Sequence, residues 1–253
     1  MNGPSSLFHR SLLLVIAGLL LAIGPLPSAQ AQEVRIGVRF GPTFGFLNDN
    51  TVPFTSKDAE INSNPRLDLH IGAYAVVPVT DHVALQPELL YVQKGSHFSR
   101  PRSQSYAVEQ YRLSYLQGAL LGRRDVSLPG PLSLHVVAGL AVDIALRGTR
   151  QRNLRSRDID FEERVSLMES GHLRRWDVGG VVGVGVGYPV GSTSRLALEL
   201  RYNRGFRTVF TAERSAGSSS DPQANPFPLA APRSSFRHDV ITASLTYTMP
   251  IGR

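Results

Sequence analysis

The stretch that decides the fold class is residues 195–203, RLALELRYN. Every even position from 196 to 202 holds Leu or Tyr, whereas both arginines and the glutamate lie at odd positions. Side chains alternate between the two faces of a β-strand, so this strand has one wholly apolar face and one charged face. A chain that crosses a membrane as a closed barrel needs such strands, because one face meets lipid and the other meets the lumen.

The same alternation recurs about eight times along the chain. The strands that it predicts cover residues 34–44, 67–79, 83–94, 110–122, 132–144, 176–188, 195–203 and 239–249. At about 9 to 13 residues, each is long enough to cross a bilayer at the usual tilt. The register of 110–122 stays open, because Arg112 and Ser114 interrupt one face and Gln117 interrupts the other.

The predicted connections alternate in length. Long polar segments cover residues 48–65, 95–109, 147–175 and 204–237, and short turns cover 80–82, 122–131 and 189–194. Outer-membrane barrels have this asymmetry, with brief periplasmic turns and long external loops. The most highly charged of the long segments, 147–175, is interpreted as extending its flanking strands beyond the membrane.

Alternation alone does not say whether the apolar face of the strands points out of the barrel or into it. A soluble lipocalin-like barrel has the same period with its apolar face inside. The polar face carries small residues that suit a narrow interior: Gly139, Ala141, Gly179, Gly183, Gly185 and Gly187. The apolar face carries aromatic residues near strand ends, as interfacial girdles do: Phe40, Tyr91, Trp176, Tyr188, Tyr202 and Tyr247. The sequence therefore predicts an all-β fold, an eight-stranded antiparallel up-and-down transmembrane β-barrel.

The first 31 residues are predicted to be a signal peptide. His9 and Arg10 precede an apolar run over residues 12–23, and a small-x-small cleavage site, AQA, follows at 29–31. The run is too short for a membrane-spanning helix, which needs about 20 residues. Cleavage leaves residues 32–253 as one exported barrel domain.

Composition narrows the function classes. The chain has no cysteine, which excludes a lipid anchor on cysteine, a disulfide scaffold and a thiolate metal site. A net charge of +7 would indicate nucleic-acid binding in a cytosolic protein, but export argues against that partner. Of the 27 basic residues only Lys57 and Lys94 are lysine. Arginine favours bidentate contact with phosphates, and a bias in base composition is the alternative explanation.

Three segments carry a resemblance to a known family: LQPELLYVQKG at 85–95, DVGG at 177–180 and LRYNRG at 200–205. They resemble the porin-family outer-membrane β-barrel domain, which includes the PorT-like and OmpX-like proteins of Gram-negative bacteria. That resemblance implies an eight-stranded barrel in the outer membrane, of a kind that usually has no enzymatic activity assigned. One departure is the ending MPIGR, because such proteins commonly finish on an aromatic residue that the assembly machinery reads. Tyr247 is the candidate for that role.

The polar residues of the inner faces form the first candidate site. The predicted lumen network consists of Arg35, Arg39, Gln86, Glu88, Asp143, Asp177, Glu199 and Arg201. Buried charges must be paired, and a barrel of eight strands is filled by side chains. The network is therefore interpreted as a salt-bridged filling, with a conducting pore as the alternative. Glu88, Glu199 and Arg201 lie mid-strand and are placed at its centre.

The second candidate site is the arginine-rich part of the long segments. Lipopolysaccharide presents phosphates at this level of an outer membrane, and arginine binds phosphate through paired N–H groups. The expected contacts are Arg147, Arg150, Arg152, Arg155, Arg157, Arg204 and Arg207. The alternative is a solvated loop in which these arginines pair with acidic residues such as Asp158 and Glu162.

An enzymatic alternative is a hydrolase that modifies lipopolysaccharide. The residues that suggest it are His238 with Ser234 and Ser235, and His97 with Ser96 and Ser99. A hydrolase needs its nucleophile, base and acid within hydrogen-bond reach, which sequence neighbours in a loop seldom satisfy. We therefore predict no enzyme, no catalytic residue, no cofactor site and no metal site.

The leading functional prediction is an integral outer-membrane protein with a structural or surface-binding role, in envelope stability or adhesion. A small channel or porin is the second hypothesis, and the hydrolase is the third. The expected partners are outer-membrane lipid, lipopolysaccharide and the outer-membrane assembly machinery. Nucleic acid is not an expected partner, and the barrel is expected to be monomeric.

Overall fold

The computed structural model describes residues 33–48, 62–102, 105–156, 160–169, 173–210 and 236–251. They form β1 (Arg35–Asn48), β2 (Asn62–Pro78), β3 (Val83–Arg102), β4 (Ser105–Ser127), β5 (Ser133–Ser156), β6 (Asp160–Ser166), β7 (Trp176–Val190), β8 (Ser194–Gly205) and β9 (Arg237–Pro250). In these ranges no helix is long and apolar enough to cross a membrane. The predicted signal peptide lies outside the described residues, so its cleavage stays a prediction.

Eight of the nine strands close into an antiparallel barrel. The wall runs from β1 through β2, β3, β4 and β5 to β7, β8 and β9, and β9 pairs with β1 to close it. Each of these strands has a neighbour on both sides, so its backbone N–H and C=O groups are satisfied within the wall, as lipid requires. The predicted eight-stranded antiparallel barrel is confirmed.

The faces of the wall have the predicted orientation. On β8, Leu198 is 68% exposed on the outside, whereas Glu199 and Arg201 are 4% and 5% exposed inside the lumen. Large apolar side chains cover the outside of the other barrel strands in the same way, from Ile36 on β1 to Met249 on β9. A soluble barrel would have the reverse arrangement, so the outer surface is suited to lipid.

Two aromatic residues mark the ends of the apolar surface on β7. Trp176 and Tyr188 are both about half exposed, and every outward position between them is Val or Gly. The strand advances roughly 3.4 Å per residue, so the twelve steps from Trp176 to Tyr188, tilted by about 45°, span a height of about 29 Å along the barrel axis. That height is close to the thickness of the hydrocarbon core of a bilayer. The barrel therefore carries an apolar band that matches a bilayer.

One end of the barrel has the short connections, over residues 79–82, 128–132 and 191–193. Gly130 and Gly191 adopt positive φ angles of 87° and 68° in two of these turns, a conformation that glycine reaches without strain. The two ends of the barrel domain meet here as well, because the Ile251 N–H donates to the Val34 carbonyl at 2.9 Å. We call this the short-turn end, and the opposite one the long-loop end.

The predicted loop over residues 95–109 is wrong. β3 continues to Arg102 and β4 begins at Ser105, and the two strands pair along their whole extension. β4 also pairs with β5 as far as Ser105↔Ser156, so its backbone is held on both sides. Hydrogen bonding from two neighbours lets a polar, non-alternating stretch form strands, which hydrophobic patterning cannot reveal. Of the extension expected within 147–175, β5 shows its part by continuing to Ser156 and pairing with β6, whereas β7 begins at Trp176 and is not extended.

The structure answers the question of register that the sequence left open for residues 110–122, because Gln117 lies on the inner face. Tyr111, Leu113 and Tyr115 share that face and are almost completely buried, whereas Arg112 is exposed on the outer face. The pattern was ambiguous because the inner face of β4 is apolar near the long-loop end. A register shift against β5 follows Ser114.

Candidate functional site

The lumen is filled by side chains at successive levels, beginning at the short-turn end with an Arg123–Asp125 pair. Arg123 donates from Nε and Nη2 to the Asp125 carboxylate at 2.9 and 2.8 Å, and from Nη1 to Gln86 Oε1 at 3.2 Å. Arg195 Nη1 lies 3.4 Å from the same carboxylate. These contacts join β3, β4 and β8 across the lower lumen.

Above that pair lies a buried network centred on Glu88. Arg201 donates to both carboxylate oxygens, from Nη1 at 2.6 Å and from Nη2 at 2.7 Å, which is the bidentate geometry of strong ion pairs. Gln86 Nε2 donates at 2.6 Å, and Arg39 Nη1 lies at 3.3 Å. The Glu88 side chain has no exposed surface, so these contacts replace its hydration.

Glu199 is the second anion of this network. Arg39 Nη2 donates to its Oε1 at 2.8 Å, Arg201 Nε contacts the same oxygen, and His135 Nε2 lies 2.8 Å from its Oε2. Arg39 also donates to Ser244 Oγ at 2.6 Å. Two guanidinium groups thus face two carboxylates, and the formal charges of the central network, Arg39, Glu88, Glu199 and Arg201, balance.

The glycines of β7 make room for this network. A Cβ atom at Gly183 would lie 2.6 Å from Arg201 Cγ, and one at Gly187 would lie 2.8 Å from Arg195 Cδ. Gly185 stands against the imidazole of His135 in the same way. The Gly-x-Gly-x-Gly run therefore lets large cationic side chains lie flat against the wall of a narrow barrel.

The next level is organised by Lys94. Its Nζ lies 2.5 Å from Asp143 Oδ2, and Gln117 Nε2 donates to Asp143 Oδ1 at 2.8 Å. The ammonium group also lies 5.1 Å from the centre of the Tyr115 ring, within cation–π range. The cavity between this level and the central network has a volume of about 20 Å³, room for about one water molecule.

Near the long-loop end the lumen is closed by an apolar plug. We define the plug as Leu47, Tyr111, Leu113, Tyr115, Ala145, Leu167, Leu173, Val209 and Phe210. Phe210 has no exposed surface, and its ring centre lies 5.2 Å from that of Tyr111. The plug combines inward residues of the strands with residues that follow β6 and β8, so the chain beyond the strands folds back over the lumen.

The structure brings together five of the eight predicted network residues: Arg39, Gln86, Glu88, Glu199 and Arg201. Asp143 lies at the level of Lys94 instead. Asp177 lies closer to the long-loop end, where its Oδ1 accepts hydrogen bonds from the backbone N–H groups of Val178 and Arg207 at 2.8 and 3.2 Å. Arg35 belongs to none of the clusters formed by the described residues.

Some filling residues were missed by the sequence analysis. Arg123 and Asp125 were assigned to a turn because the predicted strand ended at 122, although their odd numbers continue the inner face of β4. Ser244 faces the lumen by alternation on β9, but a lone hydroxyl gives no sign that an arginine will bind it. The plug carries no polar signal at all.

The outer arginines near the long-loop end have different surroundings. Arg147 is exposed on β5. Arg204 Nη1 lies 3.8 Å from Asp239 Oδ1, and the guanidinium of Arg207 lies 3.6 Å from the Trp176 ring centre. Arg150, another expected contact, is partly buried on β5. The side chains of Arg152 and Arg155 lie outside the part that the structure describes, and Arg157 lies outside it entirely.

The structure describes the hydrolase candidates only in part. His238 is buried, and its Nε2 lies 2.9 Å from Tyr115 Oη at the base of the plug. Ser234 and Ser235 lie outside the described residues. Ser96 is fully buried on the inner face of β3, and the next residue, His97, points to the outer face.

Comparisons with known proteins give one family and several barrels. The family model described as outer membrane protein beta-barrel domain matches residues 29–211. No curated protein matches the chain. Among solved structures it is similar to the N-terminal β-barrel domain of Pseudomonas aeruginosa OprF, with 13% identity, 88% of this chain and 100% of that chain covered, and a TM-score of 0.35.

Two further structures are similar in the same way. OprG from Pseudomonas aeruginosa is 9% identical, with 88% of this chain and 98% of that chain covered and a TM-score of 0.39. Ail, the attachment invasion locus protein of Yersinia pestis, is 7% identical, with 86% and 100% covered and a TM-score of 0.32. At these scores the likeness is no guide to function.

Proposed function

This chain belongs to the outer membrane protein β-barrel domain family, and from that premise we propose that it is a closed, non-conducting barrel with a structural and surface-binding role. Its place is the outer membrane. The observation that carries the proposal is the filled lumen, in which the central network lies below the Lys94–Asp143 pair and both lie below the apolar plug.

A filled lumen opposes conduction for an energetic reason. An ion on its way through would have to separate the buried Glu88–Arg201 pair, in which Oε2 and Nη1 lie 2.6 Å apart. Each separated partner would then be a buried charge without its counter-ion, which costs several kcal/mol. The ion would also have to cross the plug, which is mostly apolar and contains no charged side chain to replace its hydration shell.

The surface-binding role draws support from the extension of four strands beyond the apolar band. β3, β4 and β5 rise as one paired sheet to Arg102, Ser105 and Ser156, and β6 adds a fourth strand to it. Such a sheet offers a firm support for contacts outside the membrane, since its backbone is hydrogen-bonded to the tip. Envelope stability and adhesion are the two forms that this role can take.

The same proposal includes the route to the membrane and the partners there. We propose export by a signal peptide cleaved after residue 31, insertion by the outer-membrane assembly machinery, and a monomeric barrel. Its lipid partner is lipopolysaccharide, contacted by outward arginines such as Arg147 and by the Arg207–Trp176 stack. A guanidinium on an indole face suits the interface, because one side is apolar and the other can bind phosphate.

Absence of conductance is the expected result in a planar lipid bilayer. The purified barrel should insert without stepwise current increases, because neither the polar levels nor the plug offers an aqueous path. Insertion is verified by the heat-dependent shift in gel migration of the barrel recovered from the membrane, and a known porin in the same bilayer is the positive control. Regular unitary currents from the wild-type protein would overturn the proposal in favour of the channel hypothesis.

A further inference from the structure

We propose that a groove on the outer face of β2, β3 and β4 binds a phosphate group of an outer-leaflet glycolipid of the lipid A type. The groove has a volume of about 400 Å³ and is lined by Pro65, Arg66, Leu67, His97, Gln110 and Arg112. None of these residues is among the arginines that the sequence indicated. The proposal rests on the proposed function, because it names a binding site and a ligand for the surface-binding role.

The lining of the groove is rich in N–H donors and contains no carboxylate. Arg112 is exposed and forms no ion pair with a described residue, so its full charge is available. Arg66 donates from Nε to Asp68 Oδ1 at 2.8 Å, and that contact leaves its two η nitrogens for another acceptor. Asp68 offsets one of the two positive charges, and the groove keeps the other. A phosphate monoester, with several acceptor oxygens, matches this donor set.

Strand pairing holds the donors together. Gln110 is the register partner of His97, and Arg112 is the register partner of Gly95 on the next rung of the same face. The pairing of β2 with β3 shifts between Pro65 and His70. As a result the Arg66 side chain lies across β3. Gly95 leaves the space for it, since a Cβ atom at Gly95 would lie only 2.6 Å from Arg66 Cδ.

The height of the groove points to a membrane lipid rather than a soluble anion. Leu116 is the outward apolar residue of β4 next to Arg112 on the side of the apolar band, and Arg112 lies four residues beyond it, about 14 Å along a tilted strand. That distance places Arg112 roughly 10 Å above the hydrocarbon edge, and its flexible side chain can reach down to the headgroups. Leu67 lines the groove and is 64% exposed, so the groove is continuous with the apolar band that carries acyl chains.

The test compares Arg112→Gln with Arg124→Gln in the full barrel. Arg124 is also an exposed outward arginine of β4, but it lies near the short-turn end. Binding is measured by native mass spectrometry of the detergent-purified barrel titrated with lipid A, with dephosphorylated lipid A and with soluble glucosamine phosphate. Arg112→Lys is included because it keeps the charge without the planar donor pair, and gel mobility before boiling verifies that each variant is folded.

The expected result is lipid A binding that Arg112→Gln weakens about tenfold, as for the loss of one charge-assisted contact. Arg124→Gln should bind like wild type, Arg112→Lys should lie between, and dephosphorylated lipid A should bind all variants equally weakly. Equal affinities of Arg112→Gln and Arg124→Gln would overturn the site. Competition by glucosamine phosphate at the affinity of lipid A would overturn the lipid as its source. Neither outcome bears on the closed lumen, which the conductance measurement tests.

Discussion

Replacing Glu88 by leucine is expected to destabilise the barrel by roughly 3 to 5 kcal/mol, the usual result of removing one partner of a buried ion pair. The substitution leaves Arg201 without its bidentate acceptor and Gln86 without an acceptor at 2.6 Å. Two guanidinium groups would then face Glu199 alone in a lumen that is closed to bulk solvent. Urea unfolding in detergent micelles, followed by the mobility of unboiled samples on gels, measures the loss.

Two matched variants separate the role of charge pairing from that of side-chain loss. Glu33→Leu makes the same chemical change at an exposed position just before β1 and should alter stability by less than about 0.5 kcal/mol. The double variant Glu88→Leu with Arg201→Met should be less destabilised than the sum of its single variants, because it removes both charges together. A Glu88→Leu barrel as stable as Glu33→Leu would contradict the buried network.

Replacing Leu198 by arginine is expected to cost about 2 kcal/mol, because a cation on the lipid face costs about 2 to 4 kcal/mol at the bilayer midplane and less toward the interface, and Leu198 lies between the two. Leu198 is the most exposed large apolar side chain among the residues that the structure describes. It pairs with Val186 and Leu245, whose outward side chains are also apolar, so a guanidinium there finds no partner. Unfolding of the barrel reconstituted in phospholipid vesicles measures this cost.

The matched control for Leu198→Arg is Val190→Arg. Val190 is also an exposed outward residue, but it lies at the end of β7 beside the short turn, where an arginine can reach water. Its substitution should cost no more than about 1 kcal/mol. If both variants were equally stable in vesicles, the outer face would not be buried in hydrocarbon and the orientation of the wall would have to be reversed.

The parts of the fold that lipid dictates could be predicted from the sequence. Alternation on β8 placed Leu198 outside and Glu199 inside, because a membrane tolerates no charge on the outer face and a narrow lumen must pair its charges. The same alternation brought Glu88, Glu199 and Arg201 to mid-strand positions on inner faces. Their mutual contacts depend on the stagger between strands far apart in sequence, which no single strand encodes.

The parts outside the membrane could not be predicted in this way. The extensions of β3 and β4 up to Arg102 and Ser105 stand in water, so neither face has to be apolar and the period-two signal fades. On β4, Tyr111 and Tyr115 are apolar inward residues that pack in the plug. Polarity alone cannot separate such a face from one that meets lipid, which is why the register of residues 110–122 stayed open.

The groove proposed to bind phosphate could not be predicted from the sequence either. Arg66 and Arg112 are 46 positions apart, and only the register shift of β2 and the missing side chain at Gly95 bring them to one place. The sequence segment that ends at Gly95 is the one that carried the family resemblance. Its inward residues Glu88 and Lys94 bind the lumen partners, and its last residue leaves room on the outside.

The connectivity of the central network has a consequence for the order of folding. Arg39 lies on the first strand, and two of its acceptors, on Glu199 and Ser244, are 160 and 205 residues away in sequence. Contacts of such separation form slowly, because a long loop must close before they stabilise the chain. We therefore expect the contacts of Arg39 with Glu199 and Ser244 to form only when the last two strands arrive. Refolding followed by gel mobility should show one slow closing step, and a chain ending before residue 237 should never reach the compact form.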